Sequence, residues 1–310
     1  MGYTHFDKVS GINGVYEGPK GSETRLYSGP LLSGKRYFVE ANAGNDGNDG
    51  LSLATAFKTL TRAIVVSDAF IASGSSGWAA RNQILYRGDN NEAASETLVD
   101  APNKCDVIGV GSYDGWAHPK LIGNHLMAGS SAGCRWINMG FESLAAGGAI
   151  FTLITGHSNM AFINCTFNGA STTPATYAIV TALNPYLIIS GCRFLGAYSV
   201  ATIKIGAGAA SGTLIDGNFI ESAKIGIAVD SGMTTDSYRN PVISNNKIFV
   251  GTMVLDDDSN LCRFVDNTCT TAAADTFALI IGYNRALAAR NVISDATVTA
   301  DYPTIGTTPS

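Results

Sequence analysis

The chain has 310 residues, a formal net charge of −5 and 15% charged side chains, and Gly alone supplies 35 positions. Lys and Arg never cluster, so nucleic acid is not an expected partner, and no apolar run reaches the length of a membrane span. The length would accommodate two ordinary domains, but an internal repeat favours one long solenoid.

Residues 1–35 stand outside that repeat. The opening Met1-Gly-Tyr-Thr-His-Phe-Asp-Lys8 lacks the apolar core of a secretory signal, so signal-peptide export is not expected. Phe6, Val9, Ile12, Val15 and Tyr16 make the segment more apolar than disorder tolerates. About 35 residues cannot bury a stable core alone. Docking is the expectation, onto the rest of the chain or onto a partner, with these five side chains as the attachment surface.

Residues 36–72 read as a strand, a turn-rich loop and a helix. The helix spans part of Ala54-Thr-Ala-Phe-Lys-Thr-Leu-Thr-Arg-Ala-Ile64, with Phe57, Leu60, Ile64 and Val65 on one face. Such a helix suits the open amino-terminal end of a solenoid, where strand edges and apolar core are otherwise exposed. The loop Asn45-Asp-Gly-Asn-Asp-Gly50 is what two successive turns need on backbone grounds. It lacks the spacing and closing Glu of an EF-hand, so structural turns are expected, a cation site being the alternative.

From residue 73 to 295 the chain repeats. Gln83-Ile-Leu-Tyr86, Asp106-Val-Ile-Gly-Val-Gly111 and Pro119-Lys-Leu-Ile-Gly123 belong to the first coil. Then a six-residue phrase recurs: Trp136–Phe141, Phe162–Phe167, Ile189–Phe194, Ile215–Ile220, Ile243–Ile248, Phe264–Cys269 and Ala288–Ile293. Its first and sixth positions are almost always apolar. Its fourth holds Met139, Cys165, Cys192, Asn218, Asn246, Asn267 and Asn291, at steps of 26, 27, 26, 28, 21 and 24 residues. A period of this length means a solenoid, and the unit is too short for two helices. A short apolar run, a polar or Gly bend and a second apolar run read as strand, turn, strand.

Stacking such units pairs each strand in parallel with its counterpart one turn away, about 4.8 Å distant. Asn218, Asn246, Asn267 and Asn291 then form a ladder of side-chain amides. Asn tolerates the left-handed conformation and satisfies backbone groups locally, which suits it to the bend. Each later coil adds a further strand, as in Ile150–Ile154, Ala178–Val180, Ala201–Ile205, Gly226–Val229, Thr252–Leu255 and Phe277–Ile281. The expected fold class is all-β: a single right-handed parallel β-helix of about eight rungs, roughly 40 Å long, with an amino-terminal capping α-helix. Residues 296–310 form a polar tail expected to cover the last rung and then fray.

Six Cys occur, none in a C-x-x-C pair, so zinc is not expected. Buried thiols are the plain reading. A disulfide between stacked Cys165 and Cys192 is the alternative, since adjacent rungs approach the required separation.

Two stretches resemble known families. Tyr37-Phe-Val39, the Asn-Asp-Gly loop, Ala56-Phe-Lys-Thr-Leu60 and the later Val107–Ser112 and Lys120–Gly123 are similar to the amino-terminal module and first rung of pectate-lyase-like right-handed β-helix proteins. Tyr3-Thr-His-Phe-Asp-Lys-Val9, Asn13-Gly-Val-Tyr16 and Lys20-Gly-Ser-Glu23 resemble the opening of phage head-associated proteins over about twenty residues. The first resemblance implies a fold, and the second a place on a virion.

Chemistry is harder to find. β-helix hydrolases need paired carboxylates, and lyases need carboxylates with a base. Of Asp256-Asp-Asp258, only Asp256 and Asp258 would share a face, with Asp230 one rung away; a solvated turn is the plain reading. Lys204 reads as a lone basic group on a strand. The Gly-His-Gly turn and Arg-x-Lys pair of pectin hydrolases are absent, so the resemblance implies the fold without the active site. Tyr177, Tyr186, Tyr198, Tyr238 and Tyr283 recur about once per coil as candidate glycan contacts, with loop packing as the alternative.

The leading expectation is therefore a phage virion structural protein, a capsid decoration protein, head fibre or spike. It attaches to a capsid or other virion protein through residues 1–35 during assembly in a host cytoplasm. No cofactor and no metal are expected, and a host glycan is a candidate ligand. Viral β-helices imply a homotrimer by analogy. A polysaccharide-degrading tailspike or pectate-lyase-like enzyme is the alternative, and a glycan-binding adhesion module ranks third.

Overall fold

The computed structural model describes residues 34–73, 80–88, 94–110, 118–144, 147–154, 156–169, 174–182, 185–206, 212–222, 224–230, 241–257, 262–271, 280–281, 287–295 and 298–303. The attachment residues Phe6, Val9, Ile12, Val15 and Tyr16 lie outside this set, as do Asp258, Tyr238 and Tyr283.

The right-handed parallel β-helix expected from the repeat is the fold the chain adopts. A full coil gives one short strand to each of three sheets, as Arg135–Ile137, Gly140–Glu142 and Phe151–Leu153 do before Ala161–Ile163 begins the next coil. The first sheet holds ten strands from Arg36–Glu40 to Leu287–Ala289, the second ten, and the third seven from His125–Met127 to Ile280–Ile281. The rung number differs slightly from the eight expected, because Arg36–Glu40 and Asn82–Arg87 extend the first sheet ahead of the repeat.

The phrase explains the winding. Its first positions, Trp136, Phe162, Ile189, Ile215, Ile243 and Phe264, stack in register on the inside and are fully buried. Its sixth positions, Phe141, Phe167, Phe194, Ile220, Ile248 and Cys269, do the same in the second sheet. Burying one such large side chain contributes about 1.5–3 kcal/mol.

The bend lies one residue earlier than the ladder. Asn138, Asn164, Gly191, Gly217, Asn245, Asp266 and Arg290, the third positions, all have positive φ between 51° and 65°. Gly, Asn and Asp reach this left-handed region at least cost. The expectation that the ladder Asn itself supplies the left-handed residue is thus corrected: the third position turns the chain, and the fourth points inward.

The ladder is continuous. Asn218 Nδ2 donates to Asn246 Oδ1 at 2.9 Å, Asn246 Nδ2 to Asn267 Oδ1 at 2.9 Å, and Asn267 Nδ2 to Asn291 Oδ1 at 3.1 Å. Each Nδ2 also donates to a strand carbonyl of the preceding coil, at Ile189, Ile215, Ile243 and Phe264. Each Oδ1 accepts the main-chain N–H of the ladder residue before it, Cys192, Asn218, Asn246 or Asn267. Buried amides are tolerated only when satisfied in this way. All six Cys are buried free thiols.

The cap is a helix, Leu60–Ala72, which buries Leu60, Ala63, Ile64 and Ser67. Val65, expected on that face, is 55% exposed, because the stripe follows positions 60, 63, 64 and 67. Phe57 is buried but precedes the helix, bridging Val39 in extended form. The Glu96 carboxylate accepts from the Leu60 and Thr61 N–H groups at 3.0 and 2.7 Å, tying the positive end of the helix to the first coil.

The Asn-Asp-Gly loop serves the same junction. Asp46 accepts from Lys58 N, Thr59 N and Thr59 Oγ1 at 2.8–2.9 Å, and Asp49 accepts from Leu51 N and Thr55 Oγ1. These contacts match the structural-turn reading. Gly50 has φ +69°, and a Cβ there would lie 2.1 Å from the Phe57 ring. At the far end Val298–Pro303 pairs antiparallel with Val292–Asp295 of the second sheet.

Candidate functional site

Strand alternation decides which side chains face outward. In the third sheet the inward residues Ile179, Ile203, Ile227 and Leu255 leave Val180, Lys204, Ala228 and Asp256 in one outer column, in register. Asp230 follows the strand that carries Ala228, and its Oδ2 lies 3.2 Å from Lys204 Nζ. Lys204 is therefore not the lone basic group read from the sequence. It forms a half-exposed ion pair with one of the three candidate carboxylates, while Asp256 sits two rungs away with only the Ala228 methyl between them.

Among the described residues, no three His, Cys, Asp or Glu side chains converge as metal ligands. No helix there is long and apolar enough to cross a membrane.

The tyrosines divide. Tyr198 is 1% exposed, and its hydroxyl donates to the Phe167 carbonyl at 3.1 Å. Burial drives its pKa up. It belongs to the core, which corrects its reading as a glycan contact: its backbone bridges to Ala175, so the apparent loop is a rung segment. Tyr177 is half-buried. Tyr186 is 37% exposed and adopts φ +62°, with its ring where a Cβ on Gly212 would lie. The structure does not bring Tyr177 and Tyr186 into ring contact.

A different aromatic pair faces outward. The phrase's fifth positions, Gly140, Thr166, Arg193, Phe219, Lys247, Thr268 and Val292, form one outer column of the second sheet. Phe219 is the aromatic in that column, and Phe249 lies diagonally beside it in the next. Their ring centroids are 5.4 Å apart at 40°. The Arg193 guanidinium lies 5.5 Å from the Phe219 centroid, within cation–π range. Phe219 and Phe249 escaped the sequence reading because both sit inside apolar runs. The signal was present: position five lies between inward positions four and six, so an aromatic there must face out.

Two further pairs of outward charges meet along the coil axis. Lys120 meets Glu142 at 3.4 Å, and Arg290 meets Asp266 at 2.6 Å, its hydrogen bonds holding that carboxyl below its ordinary pKa. Asp106 is buried between Arg81 and Arg135.

No protein-family model matches the chain, and no curated protein matches it. Two solved structures are similar in fold. One is a tailspike protein mutant of E. coli bacteriophage HK620 in complex with a pentasaccharide, at 14% identity over 70% of this chain and 42% of that one, with a TM-score of 0.41. The other is a rhamnogalacturonan lyase, at 10% identity over 88% of this chain and 90% of that one, with a TM-score of 0.41. The chain thus spans less than half the length of the tailspike. Its own class is that of the parallel β-helices.

Proposed function

We propose that the chain is a virion structural protein, a head decoration protein, head fibre or spike. In this reading residues 1–35 attach it to a capsid or other virion protein, and the β-helix projects outward to meet host-surface glycans. The observation that carries it is the pairing of a self-supporting rod with an amino-terminal segment of virion-like sequence. The carboxyl-terminal half of the rod is held by the continuous Asn218–Asn291 ladder. The leader resembles phage head-associated proteins at Tyr3–Val9, Asn13–Tyr16 and Lys20–Glu23.

Quantitative mass spectrometry of purified virus particles from the source culture tests it. Copy numbers comparable with the shell protein support a decoration protein or fibre. A handful of copies points to a tailspike, and complete absence overturns the virion reading. A homotrimer is proposed with it, and a monomer by light scattering at micromolar concentration would refute that part.

One observation favours a polysaccharide-degrading enzyme instead: Lys204, Asp230 and Asp256 lie on the outer side of one sheet, a base and carboxylates at rung spacing. Chain cleavage of an acidic polysaccharide, lost in Lys204→Met and Asp256→Asn, would establish it. No cleavage across a polysaccharide panel would dismiss it.

A further inference from the structure

We propose that in the free chain residues 1–33 dock on the outer face of the first sheet, laid along an apolar stripe that runs from Leu85 to Val242. This goes beyond the attachment reading above. The same apolar side chains can meet a particle only after leaving the stripe, so docking is the state of the chain before capture.

The stripe follows from strand register. Ile84, Val107, Trp136, Phe162, Ile189 and Ile243 point inward, so the residues on either side of them in each strand face out. On that outer side Leu85, Ile108, Ile137 and Ile163 stand in one column. Ile188, Leu214 and Val242 carry the stripe on in the neighbouring column. Ile188 is 38% exposed, and Ile137, Ile163, Leu214 and Val242 are half-buried. Seven successive strands thus present an apolar side chain on a face where polar residues are the rule. Charges interrupt the outer columns of the other sheets, Arg193 and Lys247 in the second, Lys204 and Asp256 in the third.

The dimensions of the stripe select its occupant. Seven strands about 4.8 Å apart make it about 29 Å long, and two outward positions per strand make it about 10 Å wide. That is roughly 300 Å², well short of the 800 Å² or so that a stable protein interface takes from each partner. A second coil is therefore a poor fit, and a single extended segment a good one.

The leader supplies such a segment. Phe6, Val9, Ile12 and Val15 recur at every third residue. In an extended polyproline-type chain, with three residues per turn and about 3.1 Å per residue, all four lie on one side at intervals of about 9.3 Å. Two rungs measure about 9.6 Å. Four contacts at this interval span about 28 Å, which is the length of the stripe. A chain of this kind keeps its main chain hydrated, as docking on a sheet face requires.

The leader also starts in the right place. Lys35 N donates to Asn82 Oδ1 at 2.7 Å, and Gly34 leaves no room for a side chain against the Arg81 carbonyl. The segment therefore meets the coil beside Asn82–Arg87, the strand that carries Leu85. Residues 16–33 separate Val15 from this point and reach up to about 60 Å. The far end of the stripe is about 34 Å away along the coil.

The test places two cysteines in the full-length chain and treats it with a short bismaleimide; the six native thiols are buried. Ile12→Cys is combined with Ile137→Cys or Ile188→Cys, the two places where four evenly spaced contacts set residue 12, one for each chain direction. Thr152→Cys, on the outer side of the third sheet, is the control. Cross-linking within one chain is expected about tenfold faster at one stripe position than at the control. In a second measurement, Leu214→Asp should speed trypsin cleavage after Lys8 about tenfold or more, since cleavage follows the undocked population. Val242→Asp repeats this should Leu214→Asp disturb the circular dichroism of the coil. Equal cross-linking at stripe and control, cross-links only between chains, or unchanged cleavage overturns the proposal. Cross-linking in a chain that is absent from virus particles breaks the virion reading alone; incorporation without cross-linking breaks the docking alone.

Discussion

The amino-terminal and carboxyl-terminal halves of the coil wind the same turn around different interiors. In the first half, Trp136, Phe141, Phe151, Phe162 and Phe167 form a continuous ring cluster, with centroids 4.7–6.4 Å apart. The inward column there holds Met139, Cys165 and Cys192. In the second half, Ile215, Ile220, Ile243 and Ile248 fill the core, and Asn occupies the column. The two columns make the same connections with different atoms. Cys192 Sγ takes the Cys165 N–H and reaches the Phe162 carbonyl, both at 3.4 Å, where Asn218 makes the equivalent contacts with Cys192 N and Ile189 O at 2.8 and 2.9 Å. Met139, a thioether, opens the column without a donor, whereas from Cys192 onward this position holds a group that both accepts from and donates to the main chain of the preceding coil. Sulfur does so weakly, where aromatic packing is dense; the amide does so well, where the core is aliphatic.

This contrast can be broken from either side. The largest effect is expected from Phe162→Ala, which removes a ring at the centre of the aromatic half and costs about 3–5 kcal/mol through lost burial and the cavity left behind. Urea unfolding checks it; a loss below 1 kcal/mol would mean the ring cluster is not a stability centre.

Acid should act next, also on the aromatic half. His125 packs 4.8 Å from Phe151, and its Nδ1 accepts from Leu98 N at 3.2 Å. Burial lowers its pKa to about 3, against an ordinary value near 6.5. A folded pKa below the unfolded one means that stability is full above about pH 6.5 and falls as the pH drops toward 3. The slope is about 1.4 kcal/mol per pH unit in that window. Unfolding measured from pH 7 to 4.5 checks it, and His125→Gln should flatten the curve.

Asn246→Leu comes third, at about 1–3 kcal/mol, because it leaves Asn218 N–H and the Ile215 carbonyl without their partners. An unchanged melting temperature would count against the ladder. Cys192→Asn is the smallest and the most discriminating. Its amide meets the partners that sulfur meets now, so stability should stay within about 1 kcal/mol of the parent or rise. A large loss would show that the aromatic half has no room for the amide.

Much of this was legible in the residues. The recurrence of one apolar–polar–apolar phrase fixed the coil, the inward first and sixth positions and the ladder column, because hydrophobic period and turn chemistry agree there. The turn-forming residue was placed one position late, since Asn245 and Asn246 are adjacent and both residue types favour bends. Val65 and Tyr198 were misplaced for a shared reason: local pattern shows that a residue is apolar or loop-like, but not how a helix rotates on its support or where a loop dips inward. Lys204 and Asp230 are 26 positions apart and meet only because a coil returns at about that interval. Phe219 and Phe249 were hidden by their apolar neighbours, and only strand alternation reveals them as outward.

A stack of parallel strands is in principle an unbounded polymer, since its last coil offers the hydrogen-bonding pattern on which another coil, from any copy, could grow. The strand Val298–Pro303 runs against the direction of the second sheet and closes that face with a reversed pattern. In this sheet the parallel register stops at Val292–Asp295, and the strand beyond it is written backwards.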